Sequence, residues 1–433
     1  MSRVKTFLAL LGLLAVPVTY GLVTGWNPVP GWIDKLSKVH SFSQPNTTWA
    51  VRVGDQPTSA MVSGDVVVVF EPGTVEGRDA RAGTQVWTSD ADWAAAAGSA
   101  QAGGAVVVLG KRGSGYRAVD PFDGRARWSD PRASGVWTFT DLIVDITCPD
   151  LFSCTLRGRN PGTGAVRWQA SLDGNGRTLA GANRPLAGMR AMGSGYANSL
   201  ANVPRPAPPL LGFRLDERVQ VFTTRGGQRL RSYRTDPTQW VSVAGDRVLI
   251  STASYRGGTC RFNVSAQDPA TGRQVWQRSG WDLRTATGIG CDQRRDPTGG
   301  GGLVAAVTPD GRDALLNVRT GDEAYRVPAG QTVLVTDGNV IVVRNGGQVR
   351  GLGRTGTTLW TRAANRHALV GLGPAAVVVT DSDAGRLAAL DPTSGRVLVD
   401  ARTAATVLGY ADAGLVINTG RKIGLLPYGS VAP

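Results

Sequence analysis

The stretch Phe262 to Trp276, FNVSAQDPATGRQVW, recurs along the chain in recognisable copies, and this recurrence constrains the fold more than any other feature. An alternating strand ends at Asp268-Pro269, the chain turns at Thr271-Gly272, and a second strand carries Trp276. Proline donates no backbone hydrogen bond and stops the ladder. Glycine supplies the positive φ of a tight reversal, and tryptophan gives the outgoing strand a large apolar surface to bury. The turn glycine returns at Gly83, Gly124, Gly164, Gly227, Gly272, Gly321, Gly356 and Gly395, at intervals of 41, 40, 63, 45, 49, 35 and 39. Four residues after each stand Trp87, Trp128, Trp168, Arg231, Trp276, Tyr325, Trp360 and Val399, so six of eight are aromatic in a chain only 7% aromatic. A period near 40 with several strands per period specifies a β-propeller.

Within each period one short run is apolar at consecutive positions. Examples are VVVVF from Val66, AVVVL from Ala105, LIVDI from Leu142, RVLIS from Arg247, NVIVV from Asn339, AAVVV from Ala375 and GLVIN from Gly414. Such a run is favourable only where both faces of the strand are buried, as in a blade packed between two others. Thr48 to Val53 reads as a lone strand with Trp49 in the outer position. At the other end Ala405–Gly409, Gly414–Asn418 and Lys422–Tyr428 read as strands without an outer tryptophan. The two ends are therefore expected to complete one sheet, closing the ring and removing two exposed edges.

A chain of 433 residues is long for one core, yet no linker divides the repeats, and a ring of sheets resolves that conflict. The fold class is all-β, a propeller of four-stranded antiparallel blades. Strict counting gives eight hairpins plus the split closing sheet, hence nine blades. Two units are weak: one carries a Pro/Gly/Ala-rich insertion over 181–208, and the unit from Trp281 to Tyr325 has an unclear first strand.

Three segments divide the chain. Residues 1–26 hold Arg3, Lys5 and an uncharged apolar run from Phe7 to Val23, long enough for one transmembrane helix that would anchor the protein in the membrane. A cleaved signal peptide is the competing reading. On either reading the propeller is expected outside the cytoplasm, secreted in the second case. Residues 27–47 read as a linker, and 48–433 as the propeller.

The phrases AVDPFDGRARW (Ala118 to Trp128), RGRNPGTGAVRW (Arg157 to Trp168), SAQDPATGRQVW (Ser265 to Trp276) and ALDPTSGRVLV (Ala389 to Val399) resemble the repeat of pyrroloquinoline-quinone-type (PQQ-like) propellers. The resemblance spans roughly residues 48–428 and is nearest to the short, cofactor-free, BamB-like branch. It implies eight blades as the favoured count. It also implies that Trp49, Trp87, Trp128, Trp168, Trp276, Tyr325 and Trp360 dock between adjacent blades. A quinone-dependent dehydrogenase of this family would carry adjacent cysteines and acidic calcium ligands, and this chain has no adjacent cysteines.

Cys148 and Cys154 lie at facing ends of two strands, so a bridge there clips a hairpin and contributes at most ~2 kcal/mol, the loop being short. Cys260 and Cys291 then pair by elimination. Metal binding at Cys148 and Cys154 is disfavoured, because His40 and His367 are the only histidines and neither adjoins a cysteine. His367 sits at a strand entry and lacks the setting of a catalytic triad. Gly113 and Gly162 belong to hairpin turns, not phosphate cradles, since no helix follows. No catalytic, cofactor or metal residue is assigned.

The net charge is +14, carried by scattered arginines, which fits a solvated surface or an acidic partner and gives no nucleic-acid site. The expected role is a non-catalytic protein-binding scaffold of the cell envelope, with 181–208 as the partner loop. A quinone oxidoreductase and a recognition domain for acidic wall polymer are the alternatives.

Overall fold

The computed structural model describes residues 46–431 except 100–103, 112–113, 151–152, 175–177, 180–204, 216, 237, 287–290, 292–298 and 412. The described residues form nine sheets and no helix. Eight are consecutive antiparallel meanders over 59–90, 93–130, 135–173, 178–234, 239–279, 299–326, 331–363 and 369–402, called blades 1 to 8 here. Blade 9 takes Thr406–Ala411, Gly414–Thr419 and Lys422–Pro427 from one end of the chain and Trp49–Arg52 from the other. Trp49 pairs with Leu425 and Arg52 with Lys422, which places the N-terminal strand outermost.

The count is nine, and the eight favoured by family resemblance is corrected. The closing sheet adds a blade without adding a turn glycine. The two weak units are complete blades whose first strands have shrunk to Thr178–Leu179 and Gly299–Gly300.

The apolar runs are the second strands, covered on both faces. All of Val66–Glu71 and all of Val106–Gly110 are buried. A fully buried valine stabilises by roughly 1.5–3 kcal/mol, so each run is a principal source of blade-to-blade adhesion. The fourth strands differ: in Gln85–Asp90 only Trp87 is buried.

Six of the eight glycine turns are built alike. The Asp79 carboxylate accepts from the Arg81 and Ala82 backbone N–H groups at 2.8 and 2.7 Å, while the Gly83 N–H donates to the Asp79 carbonyl at 2.8 Å. Asp120, Asn160, Asp268, Asn317 and Asp391 repeat the arrangement. Backbone bonds from Ser394, with the Thr393 hydroxyl, hold the Asp391 carboxyl down at about 2. Each side-chain oxygen satisfies donors that a tight turn would leave orphaned.

The chain end supplies one strand beyond the meanders. Ser430 and Val431 pair in parallel with Val399 and Asp400 of blade 8. Val399 stands where seven other blades carry an aromatic residue and blade 4 carries Arg231. The next sheet, blade 9, is broken between the two chain ends at the place where a turn glycine would lie.

Beside the closure lies a buried acidic pair. Glu71 and Glu76 are 7% and 8% exposed, and Glu76 is bridged to Arg78 at 2.5 Å. Burial, then the neighbouring Glu76 charge, push the Glu71 carboxyl up, against the backbone N–H of Asp55 and the charge of Arg78. A carboxyl raised on folding penalises the folded state as it ionises, so stability falls as pH climbs from the ordinary carboxylate value through the raised one. Glu71→Gln keeps the oxygen that accepts from Asp55 and removes the charge. Urea unfolding should show it more stable than the parent at pH 7, with the gain vanishing once pH drops below the ordinary carboxylate range. An equal gain at both pH values would contradict the assignment.

The expected anchor and nearly all of the linker lie outside the described residues. Among the described residues no helix is long and apolar enough to cross a membrane.

Candidate binding cleft

The meander topology gives the disc two faces. The glycine turns and the loops joining first to second strands lie on one, called the turn face. Connections between blades and the loops joining second to third strands lie on the other, called the connector face.

On the turn face each aromatic residue serves the following blade rather than its own turn. The Trp49 indole donates to the Ala80 carbonyl at 2.7 Å, Trp87 to Pro121 at 2.8 Å, Trp128 to Pro161 at 2.8 Å, and Trp168 to Thr224 at 2.8 Å. Trp276 donates to Val318 at 2.9 Å and Trp360 to Pro392 at 2.8 Å. The rings rest on Gly83, Gly124, Gly164, Gly227, Gly321 and Gly395, Tyr325 rests on Gly356, and Arg231 takes the same seat on Gly272. Gly83 has a φ of +71°, and a Cβ there would come within 2.6 Å of the Trp49 ring. Side chains are thus excluded twice, by backbone conformation and by the neighbour's indole. On its inner side Trp87 faces Gly77, Trp168 faces Gly158 and Trp360 faces Gly351, while Trp128 and Trp276 face Ala118 and Ala266. The small residue opposite each of these tryptophans is therefore space for the indole.

Both disulfides lie on the connector face. Cys148–Cys154 closes the tip between the second and third strands of blade 3. Cys260–Cys291 ties the longest hairpin, Arg247–Arg256 with Thr259–Gln267, to the connection leaving blade 5. His367 is exposed and accepts from Arg366 at 3.0 Å. His40, Gly113 and most of 181–208 lie outside the described residues. The arm that returns from that insertion is pinned on the turn face, where the Thr140 N–H donates to the Arg205 carbonyl at 2.8 Å and the Ala207 N–H to Asp141 at 2.8 Å.

Between blades 2 and 3 the connector face opens into a cleft of about 540 Å³. Trp93, Tyr116, Pro131, Ala133 and Val136 form its apolar lining, with Lys111 and Arg132 at its rim. The Trp93 ring lies against Gly110, its cross-strand partner, where a Cβ would come within 1.9 Å of the indole. Ser134 anchors the blade 3 side by donating through both backbone N–H and hydroxyl to the Ile146 carbonyl, at 2.7 and 3.1 Å.

Behind the cleft is a buried polar network. The Tyr116 hydroxyl donates to Asp145 at 2.9 Å, and Arg159 donates to the same carboxylate. Arg159 also reaches Asp130 at 2.5 Å, and Arg157 donates to Asp130 at 3.0 Å. Asp145 is 0% exposed. Burial, followed by the adjacent carboxylate, pushes the Tyr116 phenol up, so it remains a donor throughout the physiological range. Two carboxylates face two guanidinium groups, and the network is neutral within itself.

A second, smaller cleft of about 280 Å³ opens between blades 7 and 8. There Arg362 and Arg386 both donate to Asp400, at 2.8 and 2.7 Å. Burial raises the Asp400 carboxyl, but the two guanidinium groups outweigh it and hold it below the usual carboxylate range. Its cations are spent on an internal acid. Lys111 and Arg132 have no such partner among the described residues.

The sequence matches the family described as "Outer membrane protein assembly factor BamB" over residues 35–185 and 261–421, well over half of the chain. The chain belongs to the BamB family. Among solved structures, BamB from Moraxella catarrhalis is 18% identical with a TM-score of 0.37, the match covering 82% of this chain and 99% of that one. The computationally designed Ika8 protein is 13% identical with a TM-score of 0.41, over 80% of this chain and 96% of its own. Quinohemoprotein alcohol dehydrogenase ADHIIG from Pseudomonas putida HK5 is 13% identical with a TM-score of 0.39, over 90% of this chain and 77% of its own. A search of curated proteins finds no match.

Propellers of this repeat type include quinone enzymes, so the donor set bears on whether this BamB-family chain fits such a cofactor. All four cysteines are committed to loop disulfides, and among the described residues no group of three or more His, Cys, Asp or Glu side chains is placed to hold a metal ion.

Proposed function

We propose that this BamB-family propeller is a non-catalytic scaffold that binds protein partners in the cell envelope, held at the membrane by its N-terminal segment. The family match carries the reading. The connector face supports it: loops from nine blades converge there, and two of them are stiffened by disulfides. Loops held in place lose less freedom on binding, which favours a broad protein contact.

Crosslinking of the full chain in intact cells should capture envelope proteins as a reproducible set. Excising residues 184–204 while retaining the pinned arm at 205–209 should remove those partners that the insertion contacts. Dye-linked alcohol oxidation after adding quinone and calcium to the purified full chain would overturn the non-catalytic reading.

A further inference from the structure

We infer that the cleft between blades 2 and 3 docks an acidic peptide segment carrying an apolar or aromatic side chain beside its carboxylate. The inference rests on the protein-binding reading and deepens it by naming the chemistry of one contact.

Three observations converge. Trp93 is 37% exposed and held against Gly110, so a flat apolar wall is presented without rearrangement. Lys111 comes from the hairpin of blade 2 and Arg132 from the connection into blade 3, placing one cation on each side of the opening. Neither has a carboxylate partner among the described residues. The buried acids beside them are committed to other cations, Asp130 and Asp145 being bound to Arg157 and Arg159. The rim is therefore positive over an apolar floor. A carboxylate between the two cations would gain charge-assisted hydrogen bonds, while its neighbouring side chain would cover the indole.

An acidic saccharide could also stack on Trp93, but each ring brings several hydroxyl groups needing partners. The cleft offers few. The Ser134 hydroxyl is given to Ile146 and the Tyr116 hydroxyl to Asp145. Pro131, Ala133, Gly135 and Val136 carry no side-chain donor. Buried hydroxyls left unpaired cost more than stacking returns, so the peptide is the better fit. The cleft between blades 7 and 8 makes a natural control, because Asp400 already occupies its cations.

The probe is a fluorescein-labelled peptide of alternating Glu and Phe, titrated into the full chain in detergent and read by fluorescence anisotropy. Binding should weaken as salt is raised, and the same peptide with Lys for Glu should not bind. The double variant Lys111→Gln, Arg132→Gln should weaken binding about ten-fold or more, and Trp93→Ala by a similar factor. The two cations are exposed, so the double variant should unfold at the parent midpoint and separate lost binding from lost folding. Arg362→Gln should leave peptide affinity unchanged. Peptide binding indifferent to all these substitutions would overturn the inference. So would polygalacturonate binding that depends on Lys111, Arg132 and Trp93 where the peptide shows none, because the site would then be one for acidic saccharide. If the peptide fails while envelope proteins still crosslink to the full chain, the cleft assignment alone falls. If no partner crosslinks, the scaffold reading falls with it.

Discussion

Trp49→Ala is expected to destabilise the propeller by about 3–5 kcal/mol, the range for truncating a buried tryptophan to alanine. The side chain is 8% exposed, donates to Ala80 and covers Gly83 of blade 1. Its strand, Trp49–Arg52, is the whole N-terminal contribution to blade 9. Interior members of the girdle, such as Trp87, lie in blades made of one continuous stretch of chain. Trp49 is the girdle member whose blade is assembled from both chain ends, so its loss also loosens the ring where the joint is the ladder of Trp49–Arg52 on Lys422–Pro427 and not a continuous chain. Urea unfolding of the variant beside Trp87→Ala tests this. Trp49→Ala should equal or exceed Trp87→Ala in cost and should expose the chain ends to protease first. A cost under about 1 kcal/mol, the scale of an ordinary surface change, would refute the closure.

Asp145→Ala should cost a comparable amount, about 3–5 kcal/mol, because removing one partner of a buried ion pair strands the other charge. Arg159 would keep Asp130 but lose its nearer carboxylate, and the Tyr116 hydroxyl would have no acceptor. A concerted replacement separates charge from shape. Tyr116→Phe, Asp145→Leu and Arg159→Met together remove every polar atom that the single change orphans. That triple variant should recover most of the lost stability. If Asp145→Ala unfolds at the parent urea midpoint, the network contributes nothing and its four charges merely tolerate burial.

The ring was legible because its information is local and repeated. Gly272 and Trp276 stand four apart, and their copies announce both the period and the strand polarity. The closing sheet could be anticipated because Trp49 had no turn before it. What spacing concealed was which glycine each indole uses. Trp276 sits four residues from Gly272 yet rests on Gly321, and Gly272 is covered by Arg231, a residue that breaks the aromatic pattern. The small residue under each indole, Gly158 under Trp168 for instance, was likewise unreadable, because cross-strand register decides it.

The candidate cleft was not legible at all. Tyr116, Asp130, Asp145 and Arg159 belong to strands of two blades, and nothing periodic marks them. Lys111 and Arg132 read as two more scattered cations among 47 basic residues until the fold sets them across one opening. The family's usual blade number misled, whereas the chain's own repeats, eight hairpins plus the split closing sheet, gave the nine observed.

The N-terminal strand occupies the outermost position of its sheet, and the Thr48 N–H still pairs with Leu425. Its first residue therefore stands at the perimeter of the disc, on the rim of the coin rather than over its centre. The strand itself covers neither broad side of the disc.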